Sequence, residues 1–191
     1  MTFRPNYPEL GSKRLQRFDY SQPGVYFVTI CAFNRRCIFG EITHGRMMLN
    51  HNGAIVKEQW YGLPSHYPNI SLDTFVIMPN HIHGIICINE VERPFVGAGF
   101  QPADAPPQTN PQHGLPEIIR GFKTYSAMGI NKLRDTSGPP DWQRNYFEHI
   151  VRSKTDLDVV RRYIEENPLK WNEDYENPMF RPSLDSSSKL I

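Results

Sequence analysis

The sequence predicts an α+β domain of the ferredoxin-like type, a four-stranded antiparallel sheet packed with helices and followed by a C-terminal helix. Residues 25–32 are too continuously β-branched and aromatic for a surface strand and suit the middle of a sheet, and residues 75–89 hold two further runs of high strand propensity around His81-Ile82-His83. Three stretches carry apolar residues at helical spacing, and they alternate with the strands. The resulting order is strand, helix, strand, strand, helix, strand, helix, which this sheet type fits best.

Residues 1–22 are polar, basic and turn-rich, and read as an N-terminal arm ending at Gln22-Pro23-Gly24. The first strand follows at Val25 to Ala32. After Asn34-Arg35-Arg36 turns the chain, a short strand is expected at Arg46 to Leu49. A helix is expected from Asn50 to Leu63, ended by Pro64, with Trp60 in the core. Asn69 to Met78 and His81 to Asn89 form a tight antiparallel pair, broken only by Pro79-Asn80. Residues 92–115 hold a run of prolines mixed with Gly, Ala and Gln, and read as a flexible insert. A second helix spans Pro116 to Leu133, with Pro116 in its first turn. A strand at Tyr146 to Val151 precedes a helix from about Thr155 to Glu166, capped by Ser153 or Thr155. Pro168 is expected to stop that helix at Asn167, and residues 172–191 read as a polar tail that frays. The main domain is therefore expected to span residues 23–171.

The composition narrows the function classes. A chain of 191 residues with a formal charge of +1 holds a single core and is not strongly basic overall. The charge is uneven: between Arg120 and Arg162 nine Lys/Arg face five Asp/Glu, and local patches of this kind bind phosphate. The three cysteines have no Cys-x-x-Cys spacing, which excludes a disulfide framework and a thiolate zinc site. No apolar run approaches a membrane span, and the N-terminus lacks the apolar stretch of a signal peptide, so a cytoplasmic protein without membrane partners is expected.

The chemistry concentrates at His81-Ile82-His83. In a strand, residues two apart point to the same face, so both imidazoles can hold one metal ion at the end of a sheet. The same spacing also occurs with no function in a polar-face alternation. On the last helix Leu157, Val160 and Ile164 form a core stripe, and Tyr163 and Asn167 lie one turn apart beside it. Taken alone, Tyr163 reads as a half-buried packing residue, and Asn167 as a turn residue before proline.

Three motifs in order, VIMPNHIHGII around the histidines, WQRNYFEHIVR from Trp142 to Arg152 and RRYIEENPLKW from Arg161 to Trp171, resemble the HUH single-tyrosine transposases, in particular the REP-associated tyrosine transposase branch. The arm and first strand, RLQRFDYSQPGVYFVTI, resemble it too, so the similarity spans roughly Arg14 to Trp171. The Pro-rich insert and the Ser-rich end depart from the family pattern without touching a motif. The resemblance implies cleavage of single-stranded DNA at hairpin-flanked sites. Tyr163 would be the nucleophile that takes the 5′ phosphate, with Mg²⁺ or Mn²⁺ on His81, His83 and Asn167. The wider family often has Gln where this chain has Asn167, four residues after the tyrosine. Arg14, Arg17, Lys123, Arg144, Arg152 and Arg161 are expected to meet DNA phosphates and Trp142 to stack on an unpaired base. Partners are then single-stranded or hairpin DNA, with the protein a monomer or homodimer. Two alternatives stay open: a non-catalytic hairpin binder on the same sheet, and a metal-dependent hydrolase in which water attacks and Tyr163 has no required role.

Overall fold

A computed structural model describes residues 18–90, 113–135 and 138–180. Strand β1 (Gly24–Cys31) leads through a 3₁₀ turn to a hairpin of β2 (Gly40–Thr43) and β3 (Arg46–Leu49). Helices α1 (His51–Tyr61) and α2 (Leu63–His66) come next, then β4 (Ile70–Ile77) and β5 (His81–Ile88). Helix α3 (Leu115–Arg134), β6 (Phe147–Val151) and α4 (Lys154–Glu166) complete the domain, and a 3₁₀ helix (Asn167–Glu173) continues directly from α4. The main sheet runs β4-β5-β1-β6, antiparallel throughout, which is the ferredoxin-like order with the β2–β3 hairpin inserted after the first strand.

Residues that face each other across an antiparallel pair point to the same side, and this sorts the sheet into two faces. Tyr26, Val28 and Ile30 of β1 share one face with Ile82 and Ile86 of β5, and α1 and α3 cover it with Val56, Trp60, Ile118 and Phe122. Gly84 lies on that face, where an added Cβ would run into the Trp60 ring; the indole lies on the sheet only because the side chain is missing. Phe27 and Ile85 lie on the other face, which α4 covers with Val160 and Ile164. Both central strands are thus sandwiched, a position that the continuous strand-forming sequence predicts for β1.

A helix of 13 residues is marginal on its own, so α4 owes its position to tertiary contacts. Its buried Val160 and Ile164 contribute about 1.5–3 kcal/mol each. That outweighs the partly exposed pair from the Arg161 guanidinium to the Asp73 carboxylate of β4, which orients the helix more than it stabilises it. Ser153 caps α4, its hydroxyl accepting the Asp156 N–H at 3.1 Å. Asn50 does the same for α1 from Gly53 at 3.0 Å.

Three expectations change. Pro64 does not end a helix over 50–63: α1 closes at Gly62 and Pro64 sits in the first turn of α2. Pro168 likewise opens the 3₁₀ helix while Asn167 keeps helical angles (φ −57, ψ −43). In both places the ring lies where a helix has no use for an N–H. The chain beyond 171 is also not a tail from its start, because the Asp174 side chain is largely covered and Glu176 is buried, through contacts described below. Of the arm, Phe18 to Gln22 are described, and the Tyr20 carbonyl accepts the Leu115 N–H at the start of α3. Arg14 and Arg17, residues 92–112 of the insert and the Ser-rich end lie outside the described residues.

Candidate active site

The β5 register puts His81 opposite Cys31 and His83 opposite Thr29 of β1, so both imidazoles rise on the face that α4 covers. Neither ring is exposed, and their Nε2 atoms lie 3.0 Å apart. Each Nδ1 has its own partner: Asn80 Oδ1 for His81 and Thr29 Oγ1 for His83, both at 2.8 Å. The Phe27 ring stacks on His83, with centroids 5.5 Å apart. Burial takes the His81 pKa down to about 3, helped by the Arg35 charge, and burial with the neighbouring His81 holds His83 well below its usual value. Both rings are therefore neutral at physiological pH, the state in which imidazole ligates a metal.

Helix α4 brings Tyr163 over the pair. Its hydroxyl lies 3.3 Å from His83 Nε2, and its ring meets Phe27 and His83 edge-on. One turn later Asn167 is 4% exposed, and its side-chain oxygen takes no hydrogen bond. The 3₁₀ helix then returns the chain to the pair and places Asp174 Oδ2 3.6 Å from His81 Nε2. Burial raises the Asp174 pKa to about 6, with the Glu176 charge adding to the rise and the Glu176 N–H, donated to Asp174 Oδ1, opposing it. Asn80 locks this segment in place. Its amide nitrogen donates to the Glu176 and Arg35 carbonyls, and the Arg35 guanidinium pairs with the Glu176 carboxylate at 2.9 Å.

Nitrogen atoms of His81 and His83 and a carboxylate oxygen of Asp174 lie within 4.8 Å of one another. Two neutral imidazoles presenting Nε2 to one space fit a divalent cation. So does a buried carboxylate oxygen, Asp174 Oδ2, that takes no hydrogen bond. Of the expected residues, His81, His83 and Tyr163 come together. Asp174 is the residue that sequence reasoning missed; the cluster of Glu173, Asp174 and Glu176 just beyond Trp171 was its only signal.

The expected DNA contacts divide. Trp142 is a core residue rather than a stacking platform: it is 7% exposed, packs on Phe39 and Phe122, and donates its indole N–H to Ser126 Oγ at 2.9 Å. The Lys123 ammonium donates to the carbonyls of Gln143, Arg144 and Asn145, and Arg161 is held by Asp73, so both charges are engaged within the fold. Arg144 and Arg152 are exposed.

The family model described as "Transposase IS200 like" matches residues 107–167, a stretch that includes α3, β6 and α4 with Tyr163 and ends on Asn167. An uncharacterised protein of Haemophilus influenzae is 38% identical over 164 residues, covering 85% of this chain and 90% of the relative. The structure of a REP-associated tyrosine transposase bound to a REP hairpin shares the fold, with a TM-score of 0.53 at 19% identity over 81% of this chain and 72% of that one. With the His-x-His pair at the start of β5 and the tyrosine on the helix that covers it, the chain belongs to the IS200-like transposases, the single-tyrosine HUH family.

Proposed function

We propose that the protein nicks and rejoins single-stranded DNA through a 5′-phosphotyrosine intermediate on Tyr163, as a transposase of the REP-associated type. The observation that carries this reading is the Tyr163 hydroxyl 3.3 Å from His83 Nε2, at a histidine pair that fits a metal. His81, His83 and Asp174 would hold Mg²⁺ or Mn²⁺, with the buried Asn167 oxygen as a further oxygen donor one turn from the nucleophile. When bound, such an ion offsets the charge of the scissile phosphate and lowers the barrier to attack by an oxygen nucleophile.

The chain's own residues do the rest. Tyr163 Oη loses its proton as it attacks phosphorus, and the departing 3′ oxygen takes up a proton and leaves as a hydroxyl. The new phosphotyrosine ester preserves the energy of the broken diester, so another 3′ hydroxyl can attack it and restore the phenol without ATP. Phe27 and the α4 packing hold the phenol against the pair, so attack starts from a fixed orientation. Hairpin DNA is the proposed substrate, in line with the hairpin held by the structural relative, and the exposed Arg144 and Arg152 are the proposed phosphate contacts. Among the described residues no helix is long and apolar enough to cross a membrane; a cytoplasmic location is part of the proposal.

Two histidines and a carboxylate are also the donor set of zinc hydrolases, and Asp174 makes that the second reading. The test is incubation of labelled hairpin DNA, taken from the flanks of the encoding gene, with wild type and Tyr163→Phe in Mg²⁺ or Mn²⁺, resolved on a denaturing protein gel. A metal-dependent covalent band that vanishes in the variant is expected. Cleavage surviving in the variant would establish the hydrolase, and binding without cleavage across several flanks a non-catalytic hairpin binder.

A further inference from the structure

The two histidines differ in what stands behind them. Asn80 is fully buried and its amide nitrogen already donates to two carbonyls, those of Glu176 and Arg35, at 2.6 and 3.1 Å. The amide therefore cannot be turned around, and its oxygen faces His81 Nδ1. A neutral His81 must then carry its proton on Nδ1 and present a lone pair at Nε2. His83 Nε2 is only 3.0 Å from that lone pair. Two facing lone pairs at this distance repel, so one of the two nitrogens must bear a proton, and His81 has none there to give. In the metal-free site the donor is His83 Nε2, which leaves His83 Nδ1 as an acceptor.

The group opposite that Nδ1 is Thr29 Oγ1, at 2.8 Å and 1% exposed, set directly across from His83 by the β1–β5 register. A hydroxyl is the one small side-chain group that both donates and accepts. It can serve His83 with the proton on Nε2. It can also serve the other tautomer, which is needed once Nε2 ligates an ion. A locked amide such as Asn80 serves only one.

We propose that Asn80 and Thr29 are positioning residues that set the tautomers of the pair: Asn80 holds His81 permanently ready to ligate, whereas Thr29 lets His83 change from Nε2–H in the metal-free protein to Nδ1–H when a divalent cation binds. The His83 ring carries one N–H in both states, Nε2 releasing a proton to solvent and Nδ1 taking one up. The switch rests on the metal reading above; the metal-free tautomers do not.

Nitrogen-15 NMR of the ring nitrogens tests this near neutral pH. In metal-free wild type the two histidines are expected in opposite tautomers, His81 as Nδ1–H and His83 as Nε2–H. Adding Zn²⁺, a diamagnetic probe, should convert His83 to Nδ1–H and leave the His81 tautomer as it was. Thr29→Val should weaken Mn²⁺ binding about 10–100-fold, the range for removing a partner behind a metal-ligating histidine, and Thr29→Ser should restore most of it. The same tautomer on both metal-free rings would overturn the proposal without any variant having to fold. So would a Thr29→Val protein that binds Mn²⁺ as wild type does. Opposite tautomers in a protein that takes up neither ion would overturn the metal reading and the switch, while supporting the metal-free assignment.

Discussion

Asp174 faces His81 across 3.6 Å, with the imidazole fully buried and the carboxyl 7% exposed, although one opens a central strand and the other follows the last helix. The relationship makes Asp174 the first candidate for the third metal ligand, ahead of Asn167. Asp174→Ala is expected to lower Mn²⁺ affinity at least about tenfold, since even partners behind a ligand are worth that much, and Asn167→Ala to lower it less. Titration followed by the EPR signal of free Mn²⁺ ranks the two. A larger loss in Asn167→Ala would return the third position to the amide.

What the sequence made legible and what it hid follow from the range of the interactions. The central strands, the histidine pair and the Tyr163 helix show themselves through periodicity, which is a local signal, and each stands where that signal puts it. The approach of Asp174 to His81 was not legible because it depends on a long-range return of the chain through a short 3₁₀ helix, into a polar stretch beyond Trp171 that has no period and resembles a tail. Pro168 reinforced the error, because a proline that stops one helix and a proline that opens the next look alike in sequence. Trp142 was ambiguous for another reason: base stacking and core packing both ask for a large aromatic ring, and only the Ser126 hydroxyl waiting for its N–H decides between them.

Gly84 follows His83 in β5 and lies on the opposite face of the sheet, where its missing side chain leaves the room that the Trp60 indole occupies. Gly84→Ala should destabilise the fold by about 1–3 kcal/mol, the usual cost of forcing extra volume into a packed core. Chemical denaturation reads this directly as a lower midpoint at unchanged slope. A variant as stable as wild type would mean that Trp60 has room to move off the sheet.

The Asp73–Arg161 pair gives a pH dependence with a defined sign. The hydrogen bonds from Arg161, with those from Thr74, hold the Asp73 carboxyl well below the usual carboxylate range. A carboxylate whose pKa is depressed by folding contributes stability above its unfolded pKa, near 3.9, and loses it as pH falls from there through the lower folded value. Asp73→Asn should therefore lower the melting temperature at neutral pH, by a few degrees at most because the arginine is partly exposed. The gap from wild type should narrow as the pH is taken below about 4. A gap that is constant with pH would show that the substitution acts through packing and not through the charge.

Tyr163→Phe separates chemistry from binding. The phenylalanine ring retains the edge-on contacts with Phe27 and His83, and the lost hydroxyl contact is a long one, so the fold should lose no more than about 1 kcal/mol. The proposed hairpin binding draws on cations and not on the phenol, so its Kd should stay within about twofold of wild type at fixed salt. The covalent protein–DNA product should disappear altogether, because the atom that forms the ester is gone. Retention of that product would move the nucleophile elsewhere, with Tyr146 the first tyrosine to substitute. Loss of binding together with the product would make Tyr163 a DNA contact as well, and the two roles would then be separated by measuring affinity in the absence of metal.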